Sequence, residues 1–283
     1  MNSIFVREVN TCTQHMSLMF ITWDVDPNLF EIGPITVRWY GLLFASAFLV
    51  GHYIMQNILI RENQPKEWMD SLLIYMMVGT VLGARLGHVF FYQWDYYSQN
   101  LGEILQVWKG GLASHGAAIG IILSLALWSY KVSKKPLLWI LDRIVITVAL
   151  AAVFIRFGNL MNHEIIGDVT NVPWAFIFTK AGYEVLEPRH PTQLYEAFSY
   201  LLIFGLLIYL YYKQKAGERA GLLFGLFLIL LFSARFFIEF VKEVQVEKEI
   251  EMTLNMGQQL SIPLVLVGLF FVIRALFSKS KTA

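Results

Sequence analysis

From residue 35 onward the chain is a series of long apolar stretches separated by short polar ones. The stretches cover residues 35–60, 68–92, 112–130, 136–158, 192–212, 221–240 and 262–277. Most are close to the roughly 20 residues that a helix needs to cross the hydrocarbon core of a bilayer, and the last is short, at the lower limit. Backbone groups find no water partners in lipid, so helices are the expected form. The pattern therefore predicts an all-α integral membrane protein of about seven transmembrane helices. The polar connections fall at 61–67, 93–111, 131–135, 160–191, 213–220 and 241–261. The longest, 160–191, carries Pro173, Trp174, Gly182 and Tyr183, which predicts a small folded cap between the fourth and fifth helices. Residues 1–33 are polar and irregular. They lack the basic start, apolar core and small-residue cleavage site of a signal peptide. The expected organisation is an N-terminal segment, 1–33, followed by one seven-helix membrane domain, 34–283. There is no internal repeat and no low-complexity segment.

Composition agrees with this pattern. The 283 residues are 57% hydrophobic and 15% charged, with a mean hydropathy of +0.55. Soluble domains carry about 45–50% apolar and about 25% charged residues, and water would not tolerate so large an exposed apolar surface. A net charge of +1 gives no footprint for nucleic acid. Cys12 is the single cysteine, so no internal disulfide forms, and it stands apart from every motif.

Lysine and arginine in alternate loops set the orientation. One set holds Arg61, Lys66, Lys131, Lys134, Lys135, Lys213, Lys215, Arg219, Arg274, Lys279 and Lys281. The other holds Arg7, Arg38, Lys109, Lys180, Arg189, Lys242 and Lys248. The richer set is expected in the cytoplasm, which puts the N-terminus and the 160–191 cap outside and the C-terminus inside.

Charges within apolar stretches narrow the picture. Arg85, Asp142, Arg143, Arg156, Arg235 and Glu239 lie in or at the ends of the runs. A central arginine costs from about 2.5 to over 10 kcal/mol by different estimates, so such residues face a protein interior or a wet cavity, or snorkel to the interface. Asp142 and Arg143, about one turn from Pro136, fit snorkelling. Arg156 and Arg235, with polar neighbours, fit an interior site. In the segment 156–167, Arg156, Asn159 and Asn162 recur at i, i+3, i+6 and share a face if the helix continues. Gly158 would let a headgroup or another backbone approach closely. His163-Glu164 begins like a zinc-protease motif, but Gly167 stands where the second histidine is required. In the segment 189–196, Thr192 is the candidate helix N-cap, with an imperfect capping box because Glu196 is four residues on. Arg235 and Glu239 stand at i, i+4, suited to an ion pair, to binding, or to both. His115 lies in a small-residue segment, either as a packing residue or as a titratable group. Arg85 lies in another such stretch, and Arg38-Trp39-Tyr40-Gly41 opens the first span.

In this order the motifs resemble the prolipoprotein diacylglyceryl transferase family of bacteria. Arg156, Gly158, Asn159, Asn162, Glu164 and Gly167 match its signature. Arg38-Trp39-Tyr40-Gly41, Gly83-Ala84-Arg85, His115-Gly116, His190-Pro191-Thr192-Gln193-Leu194-Tyr195-Glu196, Arg235-Phe236 and Glu239-Phe240 support it. Three details depart from the family pattern. Ala117 replaces a second glycine after His115, Leu160 replaces phenylalanine, and Val244-Gln245 stands where Pro-Asp is common. The resemblance implies an enzyme of the bacterial cytoplasmic (inner) membrane. It would move the diacylglyceryl group of phosphatidylglycerol to the lipobox cysteine of signal-peptide-bearing prolipoproteins, form a thioether and release glycerol phosphate. It implies His115, Arg156, Arg235 and Glu239 as catalytic residues. Tyr40, Arg85, Arg156, Asn159, Asn162, Glu164, Gly167, His190, Gln193, Tyr195 and Glu196 would bind substrate. No metal or organic cofactor is called for. The chemistry fits these residue types. Only a few per cent of a free thiol is thiolate at neutral pH, so a base such as His115 would help. The leaving phosphate gains negative charge, which fixed cations stabilise best in a dry site, and the planar fork of arginine suits phosphate better than lysine. A transporter would show repeated halves or paired broken helices. A serine hydrolase would show a Gly-x-Ser-x-Gly elbow. Neither is present in the sequence.

Overall fold

The computed structural model describes residues 20–33, 35–244 and 252–277. Cys12, Arg7, Lys248, Lys279, Lys281 and most of the N-terminal segment lie outside them. Among the described residues, seven helices are long and apolar enough to cross a membrane. They are α1 (Trp39–Arg61), α2 (Glu67–Tyr92), α3 (Ser114–Trp128, prolonged to Ser133 by a π turn), α4 (Leu137–Met161), α5 (Thr192–Gln214), α6 (Leu222–Ile238, ending in a 3-10 turn at Glu239–Val241) and α7 (Met256–Phe277).

Two helix starts differ from the hydropathy pattern, and each has a local cause. Ile35–Arg38 is not the first turn of α1 but strand β3, antiparallel to β2 (Asn28–Ile32). Its β-branched residues favour a strand, and Gly33 at φ 58 makes the turn. The last helix begins six residues before its apolar run and is 22 residues long, so the span is not short. Asn255 and Gln258 form a reciprocal capping box there. Asn255 Oδ1 accepts from the Gln258 amide at 2.9 Å, and Gln258 Oε1 accepts from the Asn255 amide at 3.1 Å. Capping of this kind supports a polar first turn that hydropathy alone does not register.

α4 is the hub, packed against α1, α5 and α6, while α6 pairs with α7 and α2 with α3. The α2–α3 pair meets backbone to backbone. A Cβ on Gly83 would lie 2.5 Å from the Gly116 carbonyl oxygen, and one on Gly120 would lie 2.2 Å from that of Gly79. Small residues permit this closeness where lipid offers no hydrophobic drive for association. At one end Trp68 of α2, edge-to-face on Trp128 of α3, also meets Trp139 of α4 edge-to-face and so joins the pair to the body. Between α1, α2 and α4 lies an apolar cleft of about 210 Å³, lined among others by Phe44, Met55, Leu72, Thr147 and Ile155.

Asp142 and Arg143 do not snorkel. Asp142 is fully buried and accepts from the amides of Gly221 (2.6 Å) and Phe224 (2.9 Å) at the start of α6. Gly221 has no side chain to cap that first turn, so the carboxylate of α4 does so instead. Arg143 pairs with Glu62 at 2.8 Å, and the Tyr211 hydroxyl donates to the same carboxylate at 2.6 Å.

The opposite end of the bundle carries the cap. Residues read as irregular before Gly33 contribute β1 (Ile21–Trp23), which runs parallel to β4 (Phe176–Phe178). That strand is antiparallel to β5 (Pro188–Arg189). Phe176 and Phe178 bury against Leu160 and Ile166. Trp23 Nε1 donates to the Leu160 carbonyl at 3.0 Å, and the His163 ring meets the Val25 carbonyl at 2.9 Å. His163 is thus a tie for the N-terminal segment. Beside β1, the Thr179 hydroxyl donates to Asp24, and that bond, with Lys180 nearby, holds the carboxyl below the usual aspartate range.

Candidate functional site

α4 ends at Met161, and the chain turns sharply beneath the cap. His163 (φ 53) and Ile165 (φ 58) both take the left-handed conformation, a strained choice for a β-branched isoleucine. Three side chains hold the turn. Thr192 Oγ1 donates to the Ile165 carbonyl at 2.9 Å, and Gln193 Nε2 to the Glu164 carbonyl at 2.7 Å. Asn159 Nδ2 donates to Glu164 Oε1 at 2.8 Å. Thr192 is therefore the first residue of α5 and not its cap; Pro191 occupies the cap position, and the hydroxyl goes to the turn. Asn162, just past the helix, adds a 3.2 Å bond to the same Glu164 oxygen. Two amides thus orient an exposed carboxylate.

Arg156 faces this turn from one helical turn below. Its Nη1 donates to Asn159 Oδ1 at 3.1 Å, and its Nε lies 2.9 Å from Glu196 Oε2. Glu196, on α5, is fully buried, accepts from the Tyr200 hydroxyl at 3.2 Å and lies 3.8 Å from Lys242 Nζ. Lys242 in turn lies 3.3 Å from Glu239, and Glu239 lies 4.0 Å from Arg235 Nε. The result is a chain of alternating charge, Arg156–Glu196–Lys242–Glu239–Arg235, with three cations and two carboxylates drawn from α4, α5 and the end of α6. Arg235 keeps about a third of its side chain exposed, Arg156 about an eighth. Burial draws the Lys242 ammonium below the usual lysine range, and Glu196 opposes that.

Glycines make room at two points. A Cβ on Gly158 would lie 2.7 Å from the Tyr40 ring, so the group admitted there is the aromatic side chain of α1 and not another backbone. This places the Tyr40 hydroxyl in the field of Glu164 and Arg156. A Cβ on Gly257, at the start of α7, would lie 2.7 Å from the Glu239 carboxyl carbon.

Tyr40, Arg156, Asn159, Asn162, Glu164, Gln193, Glu196, Arg235 and Glu239 thus come together. Five other candidates, Arg85, Gly167, His190, Tyr195 and His115, have their main contacts elsewhere. Arg85 is fully buried and spent on its own loop, donating to the carbonyls of Ile104 (2.7 Å), Gly110 (2.6 Å) and Glu103 (2.8 Å) beneath Tyr97. Its guanidinium is a loop anchor. Gly167 is a backbone junction, bridged to Lys242 with its amide on the His190 carbonyl. His190 Nδ1 meets the Tyr195 hydroxyl at 2.9 Å, and Trp174 Nε1 donates to that hydroxyl at 2.8 Å. His115, half-buried in the first turn of α3, lies at the same end of the bundle as Arg156, with its ring against Phe91 and Tyr92.

Several participants were missed from sequence. Lys242 reads in sequence as a loop charge beside the Arg235–Glu239 pair, yet it is nearly fully buried between two glutamates. Tyr200 was an apolar-run residue. Arg189, Glu243 and Tyr183 form a latch between the cap and the end of α6. Arg189 pairs with Glu243 at 3.0 Å and stacks on Tyr183, whose hydroxyl donates to Glu243. Burial and that bond push the Tyr183 phenol up to about 12, so it remains a donor at neutral pH. Only the run of polar residues after Phe240 hinted at this.

The sequence profile described as prolipoprotein diacylglyceryl transferase matches residues 27–274. Among relatives, a protein of Chloroherpeton thalassium is 47% identical over 256 residues, covering 90% of this chain and 94% of its own. One of Tolumonas auensis is 45% identical over 259 residues, covering 92% and 99%, and one of Porphyromonas gingivalis 46% over 268 residues, covering 90% and 95%. Each bears the name phosphatidylglycerol–prolipoprotein diacylglyceryl transferase.

Proposed function

The chain belongs to the prolipoprotein diacylglyceryl transferase family, and we propose that the charge chain beneath its cap is where that family's transfer takes place. The protein moves the diacylglyceryl group of phosphatidylglycerol onto prolipoproteins within a membrane. The observation that carries the placement is the pairing of two guanidiniums, Arg156 and Arg235, on one buried network beside an exposed, amide-oriented carboxylate, Glu164. An anionic headgroup with free hydroxyls needs these groups: cations for the phosphate and acceptors for the glycerol. The apolar cleft reaches Ile155, the neighbour of Arg156, and suits an acyl chain of the same lipid.

In the transfer, the lipobox thiolate attacks the glyceryl carbon that bears the phosphate. A C–S bond forms, the C–O bond breaks, and glycerol phosphate departs with the electron pair. The phosphate passes from one negative charge toward two, and Arg156 and Arg235 answer that gain. Asn159, Asn162 and Glu164 orient the headgroup, with the Tyr40 hydroxyl beside them. His115 takes the thiol proton from its place at the same end of the bundle. Purified protein in detergent, given phosphatidylglycerol and a lipobox peptide, is expected to add one diacylglyceryl mass to the peptide. An unchanged peptide mass would overturn the reading. His115→Gln in that assay is expected to lower the rate by about 10²–10⁴ and flatten its pH dependence near neutrality. Near-normal rates across the pH range would remove His115 from the mechanism.

The cap faces outward from the bacterial cytoplasmic membrane, with the C-terminus inside. The basic-loop asymmetry supports this; Lys134 and Lys215 are exposed at one end of the bundle and Gly182 on the cap at the other, so the two sets are on opposite sides. Single cysteines at these positions, in a Cys12-free background, should react with an impermeant reagent from outside only at 182. Labelling of position 134 from outside would reverse the orientation.

A further inference from the structure

Lys242 is almost wholly buried at the first extended residue after α6, its backbone bridged to Gly167 and its ammonium between Glu196 and Glu239. The two distances at Glu239 are unequal: 3.3 Å to Lys242 and 4.0 Å to Arg235. The carboxylate therefore leans on the lysine and leaves Arg235 loosely held, with about a third of its side chain exposed. Glu196 divides the other way, 2.9 Å to Arg156 and 3.8 Å to Lys242. Without a third cation, two carboxylates would meet two arginines, and each arginine would be neutralised by its own partner. Gly257 leaves Glu239 room to sit where it does.

Resting on the proposed function, we infer that Lys242 is a positioning residue: it draws Glu239 away from Arg235, and so keeps the Arg235 guanidinium free to take the phosphate. It touches no reacting atom and acts through Glu239. Loss of its charge lets Glu239 close on Arg235, which screens the cation that the leaving phosphate needs.

The test is a double-mutant cycle on the full chain in detergent, with kcat and KM measured for phosphatidylglycerol and a lipobox peptide. Lys242→Met is expected to lower kcat about tenfold or more, with the KM for peptide unchanged, and Lys242→Arg to restore most of the loss. Adding Glu239→Gln to Lys242→Met is expected to cost nothing further or to regain activity, because a neutral amide cannot screen Arg235. A lysine that only fills a buried gap predicts otherwise: the two losses multiply, and arginine does not rescue. Multiplying losses, or a Lys242→Met enzyme with wild-type kcat, would overturn the inference. If the wild-type chain itself forms no thioether, it is the proposed function that fails.

Discussion

Replacing Arg156 with lysine is expected to cut thioether formation by about two orders of magnitude while leaving the melting curve nearly unchanged. The guanidinium makes contacts in two directions, Nη1 to Asn159 Oδ1 at 3.1 Å and Nε to Glu196 at 2.9 Å. It still has further N–H groups for an anion. Lysine keeps the charge and can still neutralise Glu196. It cannot hold the asparagine, the glutamate and a phosphate oxygen in one plane. Losing one fixed donor to a developing oxyanion lowers turnover by about 10²–10³. Arg156→Ala is expected to be worse, because a buried carboxylate then loses its partner as well. The measurement is peptide mass gain with phosphatidylglycerol in detergent, alongside a thermal melt of each variant. A lysine variant with wild-type turnover and stability would reduce Arg156 to a structural cation.

Glu196→Ala is expected to act on the fold as well as on the chemistry. The carboxylate is fully buried, and Arg156, Lys242 and Tyr200 all converge on it. Removing one partner of a buried ion pair costs about 3–5 kcal/mol, since the remaining charges stay out of water without compensation. Here Arg156 is left that way, while Lys242 keeps Glu239 at 3.3 Å. The alanine variant should melt well below the wild type and show little turnover. Glu196→Gln keeps the volume and an oxygen acceptor, and should recover part of the melting temperature without recovering turnover. An alanine variant as stable as the parent would mean that the network contributes nothing to folding.

How much of this was legible in the sequence depends on how far apart the interacting residues are along the chain. The spans could be read because a length of apolar residues is a local property. Arg156, Asn159 and Asn162 could be read as a group because helical spacing places neighbours in sequence on one face. Their precursor turn at Ile165 could not, because the side chains that hold it, Thr192 and Gln193, come from the next helix. The same holds for Arg143, whose partner Glu62 is 81 residues away. With no partner in view, a charge near a helix end looks like a snorkelling one. For Arg85 the partners are nearer, since its own loop supplies three carbonyls, yet nothing in the glycine-rich stretch around it announces them. Lys242 was hidden by the loop that carries it, where a charge is ordinarily solvated.

The cap that Asp142 supplies to α6 bears on how the chain is assembled during synthesis. The carboxylate is made 79 residues before the glycine amide it will bind. Until α6 docks, that carboxylate lacks the two amides that bind it in the finished bundle. The bond then forms only if α6 docks in the correct register, since Gly221 and Phe224 must both present their amides to one side chain. A misplaced α6 deprives two N–H groups and the carboxylate of these bonds at once. The acid therefore ties the seating of α6 to a single register, far from the chemistry that the finished bundle performs.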